Sequence, residues 1–362
     1  IIDKIPAQLT TLHLPGTFNG SIEPNLFRKF TNITDFQLGR GGGARFYPDN
    51  INAGTPLPNI HDTCTTYTAY NNDFRSIAPS ATFGDTGDNK NIKDLPNLSY
   101  LHLSGNYYLQ DSTFSIASTV IDYINLAVTG LPIPSLTNKT QLRTAYMHYM
   151  RGSGGLFSGN TYKFNNCNAL DTLYLYATNL SGSGGGRFPR FTNASLTYLE
   201  MRYTNVVGGF KDDSHAISDK TFRDCVNLHT FYVDSGNLLT ASIAQNTFTF
   251  TPALKNLLYR SRGRTTGAIP NLNVCSNLRY LNLYNNAFSS GTPNLQSSLN
   301  IDYVNLSYNK LGGQIPAYRN LSNLSQLYLH NNKYTGLSEF SNLPNLRYFY
   351  CHNQFTDGAP GI

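Results

Sequence analysis

The sequence contains no tryptophan, only three methionines and few charges, with Asp, Glu, Lys and Arg together making up 13% of 362 residues. A soluble domain ordinarily carries about a quarter. The net charge of +6, from 27 basic and 21 acidic residues, is spread without any run of Lys or Arg, which argues against nucleic acid as a partner. Long apolar runs are also missing. None approaches the roughly 18 residues of a membrane-spanning helix, so no membrane insertion is expected. HExxH, GxSxG and CxxC are absent, and no glycine-rich stretch carries the Lys-Ser/Thr of a phosphate loop. No catalytic residue, cofactor or metal site is expected, and the chain reads as not an enzyme. It opens at Ile1 with no visible signal peptide, as a processed product or a fragment does.

What is present is 40% hydrophobic residues, with 25 Tyr, 21 Phe and 30 Gly. That is too apolar and too weakly charged for disorder. A pattern organises it. Leu278 to Phe288 (LRYLNLYNNAF), Ile301 to Leu311 (IDYVNLSYNKL), Leu324 to Tyr334 (LSQLYLHNNKY) and Leu346 to Phe355 (LRYFYCHNQF) each read LxxLxLxxNxL with L any apolar residue, the last one residue short. The frame runs back through Leu254, Leu228, Leu196, Leu170, Leu142, Ile121, Leu98, Cys64, Ile33 and Leu9, giving about fourteen units at intervals of about 21 to 34 residues. The second and third apolar positions flank one exposed residue, which is the signature of a short strand with one buried face. The Asn that follows (Asn72, Asn106, Asn286, Asn309, Asn332) can satisfy backbone groups of a neighbouring turn. One unit cannot bury its own apolar face, so the units must stack.

This pattern resembles the leucine-rich-repeat family over essentially the whole chain. Continuations such as Gly267 to Pro270 (GAIP) and Gly313 to Pro316 (GQIP) are similar to plant-type repeats. Cys167, Cys225 and Cys275, three residues before a first Leu, are similar to Cys-bearing repeats of bacterial surface proteins. The resemblance implies an α/β-type solenoid, a horseshoe with a concave parallel β-sheet and little regular helix, as a single unit over 1–362, less regular over 1–97 and regular over 98–362. The frame also places all five cysteines, Cys64 and Cys351 included, in core slots as buried free thiols. Paired cap cysteines, normal in plant receptor ectodomains, are missing.

The x positions of each strand face the concave side. They gather Tyr198, Tyr280 and Tyr303 in one column; Tyr146, Tyr174, Glu200, Tyr232, Tyr328 and Tyr350 in the next; and His148, Tyr176, Arg202, Asp234, Arg260, Tyr284, His330 and His352 in the third, with Tyr203 beside them. Tyr interleaved with Asn, Ser, Arg and His is the composition of a binding surface, although cross-strand aromatic ladders also stabilise exposed sheets. Three glycine-rich insertions, 39–48, 152–159 and 182–190, read as rim loops, with Arg45, Phe46, Tyr47, Arg187 and Phe188 as accessory contacts. Asp85, Asp88 and Asn89 lack calcium-loop spacing and read as a polar turn. About nine Asn-x-Ser/Thr sequons, among them Asn97, Asn193 and Asn305, point weakly to a secretory route. Two functions remain open: extracellular, cell-surface or virion-surface recognition of a protein or glycan on the concave face, or a structural subunit of a large assembly. Neither end carries a recognisable cap, which leads to the expectation that a further chain or neighbouring subunit abuts one or both ends.

Overall fold

The structure is a computed structural model that describes residues 2–15, 25–27, 29–39, 56–71, 74–77, 89–152, 157–158, 161–178, 190–191, 193–204, 221–234, 242–293 and 295–354. The chain divides into two compact units, Ile1–Asn179 and Leu180–Ile362. Each alternation of apolar and polar residues forms a strand where the frame places it. The first unit carries Thr11–Pro15, Asp35–Gly39, Thr66–Tyr70, Tyr100–His102, Tyr123–Asn125, Thr144–Tyr146 and Thr172–Tyr174, joined side by side in that order. The second carries Tyr198–Arg202, Thr230–Asp234, Asn256–Arg260, Tyr280–Asn282, Tyr303–Asn305, Gln326–Tyr328 and Tyr348–Tyr350. Among the described residues the only helix is a 3-10 turn, Ile2–Lys4. Each unit is thus a parallel-strand β-solenoid, one coil per repeat.

Register tests the frame directly, because a one-residue slip would turn every apolar side chain outward. In the first unit Leu12, Phe36, Tyr67, Leu101, Ile124, Ala145 and Leu173 stand in one row across successive parallel pairs. In the second, Leu199, Phe231, Leu257, Leu281, Val304, Leu327 and Phe349 do the same. All of these except Phe349 are buried, as are the first-position residues from Ile33 to Leu324. Each Leu, Ile, Val or Phe among them contributes about 1.5–3 kcal/mol by leaving water. Coils with a Tyr in a core slot find its hydroxyl a partner: Tyr67 donates to the Pro58 carbonyl at 3.1 Å, and Tyr259 bonds Thr265 at 2.8 Å.

In the coils that carry it, the repeated Asn ties the turn to its own coil and to the preceding one. Asn309 Nδ2 donates to the Leu306 carbonyl of its own coil at 3.0 Å and to Leu283 of the preceding coil at 2.9 Å, while its Oδ1 accepts from Phe288 N at 3.1 Å. Asn286 and Asn332 repeat the two donations, and Gln354 repeats them from the coil where sequence has Gln in that slot. Coils with Thr there make less of it. Thr129 and Thr204 bond only the carbonyl three residues back, at 2.7 and 2.8 Å, and Met150 fills the slot with an apolar side chain. Asn72 lies outside the described residues.

A second asparagine ladder went unnoticed in the sequence. The residue just before the first Leu, where it is Asn, donates Nδ2 to a carbonyl of the preceding coil: Asn97 to Asp62, Asn227 to Ala194, Asn277 to Pro252, Asn323 to Leu299 and Asn345 to Ser322, at 2.7–3.1 Å. The recurring pair Asn-Leu was the available signal.

Four of the five cysteines are buried free thiols as expected, and burial pushes Cys64 and Cys225 up to about 12 and Cys167 and Cys275 up to about 11. Cys351 departs from the expectation: it is half-buried. It belongs to the last described coil, over whose outer side no other described coil packs, so Phe349 and Tyr350 are exposed as well.

Candidate functional site

In ten of the eleven coils whose eighth residue is described, that residue, one before the Asn slot, takes the left-handed conformation: Asn71, Gly105, Val128, Tyr149, Ala177, Tyr203, Asn285, Tyr308, Asn331 and Asn353, with φ between 51° and 77°; the coil from Leu254 turns at Arg262 instead. The cause is the ladder. The N–H of this residue reaches the carbonyl of the seventh residue one coil on, as Tyr149 does to Tyr176 at 2.8 Å and Tyr308 to His330 at 3.1 Å. The left-handed turn then sends the ninth side chain inward to close the coil. Asn and Gly adopt this conformation readily, whereas a bulky or branched side chain costs roughly 1–2 kcal/mol. Three coils nonetheless place Tyr there, and those three are about half exposed: Tyr149 49%, Tyr203 50% and Tyr308 48%. The sequence reading named Tyr203 with the strand columns and missed its equivalents Tyr149 and Tyr308. Their signal was a Tyr immediately before the closing slot.

Within each unit the strand columns lie next to these residues. In the first unit, Tyr146 and Tyr174 meet at 5.9 Å between ring centroids, His148 meets the edge of Tyr174 at 5.1 Å, and Tyr149 meets Tyr176 at 5.2 Å. All four predicted residues of this unit, Tyr146, His148, Tyr174 and Tyr176, therefore gather in one cluster. In the second unit, Tyr198 and Tyr232 meet at 6.3 Å, Tyr280 stacks on Tyr303 at 4.6 Å, and Tyr328 stacks on Tyr350 at 5.2 Å. Tyr308 lies against both Tyr284 and His330, and His330 stacks on His352 at 4.9 Å. Burial lifts the Tyr232 and Tyr303 phenols above their ordinary range. It pulls His330 below its ordinary range, an effect the neighbouring His352 reinforces.

A hydrogen-bond relay orders several of these rings. In the Tyr-x-Asn strands, Asn125, Asn282 and Asn305 donate Nδ2 to Tyr123, Tyr280 and Tyr303 at 3.3, 3.0 and 3.1 Å. Each Asn Oδ1 accepts from the backbone N–H two residues on, at 3.0–3.1 Å. The phenol thereby accepts one hydrogen bond while its own O–H stays available to a ligand.

Among the predicted solvent-facing positions, two that carry acidic side chains are in fact buried. Glu200 is 1% and Asp234 3% exposed, because neighbouring cations lie over them. Arg202 binds Glu200 at 2.5 Å, Tyr198 donates its hydroxyl to the same carboxylate, and the Arg260 guanidinium lies 3.6 Å from Asp234. The guanidiniums of Arg202 and Arg260 also sit 5.4 Å from the ring centroids of Tyr232 and Tyr284. This part of the face is cationic on top, anionic beneath. Arg45, Phe46, Tyr47, Arg187 and Phe188, proposed as accessory contacts, lie outside the described residues, as do Asp85 and Asp88. Among the described residues no three metal-binding side chains come together, and no helix is long and apolar enough to cross a membrane.

The family model described as Leucine Rich Repeat matches residues 277–299, where the Asn slot and the second ladder are both complete. The structure is similar to a leucine-rich-repeat protein of Leptospira interrogans, with TM-score 0.55 and 15% identity over 97% of this chain and 85% of that one. It is also similar to the Arabidopsis receptor kinase HAESA in complex with the peptide hormone IDA and a co-receptor, with TM-score 0.52 and 17% identity over 95% and 62% of the two chains. A TDR receptor gives TM-score 0.51 and 15% identity over 96% and 68%. The chain spans 48% to 68% of the plant receptor chains it matches. No curated protein sequence matches it. The protein has the leucine-rich-repeat fold.

Proposed function

We propose that this chain is a non-enzymatic binding module that recognises a protein ligand outside the cell or at a cell or virion surface, through the tyrosine-rich open face of its sheets. The observation that carries this reading is the tyrosine in the left-handed slot, Tyr149 in the first unit and Tyr203 and Tyr308 in the second. Each is held in a conformation that disfavours Tyr, in a slot that smaller residues (Asn, Gly, Ala or Val) fill in other coils, and each is about half exposed. Strain that the fold does not require points to function. Contacts such as Tyr149 on Tyr176 offset part of it, yet they do not account for the exposed half of each ring. Rigid, amphipathic Tyr bordered by Arg202, Arg260 and His148 is also the chemistry that anchors protein interfaces. Receptors of this fold complexed with peptide hormones are consistent with such a face.

The test is photo-crosslinking. A photoreactive phenylalanine at position 174 or 232, and one at Val274 as an off-face control, are presented to the native extracellular milieu. The reading expects an adduct from positions 174 and 232, none from 274, and its disappearance when, with the photoreactive residue kept in place, the neighbouring tyrosines of the same unit are replaced by Ser: Tyr146, Tyr149 and Tyr176 for position 174, Tyr198 and Tyr203 for position 232. An adduct that persists in those variants contradicts the reading.

A further inference from the structure

Away from the sheet face, the first unit contains a cavity of about 450 Å³ lined by Tyr107, Tyr108, Gln110, Asp111, Ser112 and Arg151, among others. Its origin is legible in the repeat. Tyr107, Gly130 and Arg151 each follow the closing slot, filled by Asn106, Thr129 and Met150, in three consecutive coils. The middle coil therefore has no side chain at this position. Nor could it easily have one, since a Cβ on Gly130 would stand 2.8 Å from the Leu109 carbonyl oxygen, closer than real contacts allow. Arg151 bridges the gap from the coil beyond, its guanidinium 3.7 Å from the Tyr107 ring centroid.

The charges at this site do not balance. Asp111 is engaged by Lys93 Nζ at 2.9 Å and by the Thr113 N–H and hydroxyl at 2.8 and 2.7 Å. Burial raises its carboxyl, but those bonds outweigh burial and hold it below its ordinary value. Arg151 is exposed and has no carboxylate within ion-pair distance among the described residues. A guanidinium stacked on an aromatic ring keeps its in-plane N–H donors for a planar, bidentate acceptor. Gln110 and Ser112, both exposed, supply donors and acceptors suited to hydroxyls, and Tyr108 is exposed beside them. The volume falls within the range of small-molecule sites and exceeds what a single acidic side chain would fill.

We infer that this cavity is a second binding site, distinct from the tyrosine face, for a carboxylated sugar residue of an anionic glycan. The sugar carboxylate pairs with Arg151, and its hydroxyls meet Gln110, Ser112 and the free lone pair of Asp111. D-Glucuronate and N-acetylneuraminate serve as probes, with D-glucose, L-glutamate and inorganic phosphate as controls, by saturation-transfer NMR and calorimetry on the intact chain. A single sugar unit is expected to bind with Kd on the order of 1 mM. Arg151→Ala is expected to weaken it at least ten-fold and Tyr107→Ala several-fold. Arg151→Lys, which retains charge but loses the planar fork, is expected to weaken it measurably, and Tyr174→Ser/Tyr176→Ser is expected to leave it unchanged. Arg151 is exposed, so its replacement tests binding without threatening the core. Binding of neither acidic sugar overturns the inference, as does binding unaffected by Arg151→Ala. Equal binding of glucose, glutamate or phosphate would show that the site does not select an acidic sugar, and overturns it too.

Discussion

The coils from Leu278 to Gln354 and those from Ile121 to Thr178 share one backbone path but close it by different chemistry. In the former, Asn286, Asn309, Asn332 and Gln354 each donate to a carbonyl of their own coil and to one of the preceding coil, and each accepts once from backbone. In the latter, Thr129 donates once, Thr178 donates to the carbonyl of Met147 in the preceding coil, and Met150 donates nothing. The difference teaches that the left-handed eighth residue, common to both regions, is what closes a coil, while the Asn slot sets how strongly the closure is held. The tyrosine cluster Tyr146, His148, Tyr149, Tyr174 and Tyr176 lies in the weakly held coils.

Replacing Asn309 by Ala should expose the largest difference. It strands the N–H of Phe288 in the interior, worth about 1–3 kcal/mol, and takes one of two donors from each of the Leu283 and Leu306 carbonyls, which Asn286 and Asn332 still bond, at about 0.5–1.5 kcal/mol each, so a loss of roughly 2–4 kcal/mol is expected in denaturant unfolding. Thr129→Val, which removes one bond, should lose about 1 kcal/mol. Equal losses at the two sites would break the comparison.

Much of this was legible beforehand. The register, the buried rows and the Asn closure follow from the LxxLxLxxN spacing, because burial on one side of a strand fixes its phase. The columns of Tyr followed from the same phase. What did not follow was the left-handed turn, because its occupants (Val128, Tyr149, Ala177, Tyr203) break the preference for Asn and Gly that would have announced it. Nor did the burial of Glu200 and Asp234, which depends on which neighbour's guanidinium folds over them. The cavity at Gly130 was invisible for a related reason. It arises from a side chain missing between two others that are distant in sequence.

Val128→Asn probes the shared turn directly. A branched residue leaves a conformation it disfavours, and a gain of about 1 kcal/mol is expected by the same unfolding measurement; a loss would contradict the role of the turn. The smallest effect concerns pH. Burial holds His102 and His330 below the ordinary histidine value. The unfolded chain therefore binds more protons than the folded one between those depressed values and about 6.5. Stability should be full above that window and fall as the pH drops through it. His102→Asn together with His330→Asn should flatten the thermal midpoint against pH, and an unchanged slope would refute the assignment.

The binding claim meets its most direct test in the variant Tyr149→Asn/Tyr203→Asn/Tyr308→Asn, assayed at once for unfolding free energy and for the crosslinked adduct from position 174. Asn suits the left-handed turn, so stability should stay within about 1 kcal/mol of the parent while the adduct is lost. An adduct retained at full yield, with stability falling by several kcal/mol, would mean that these tyrosines serve the fold and not a partner.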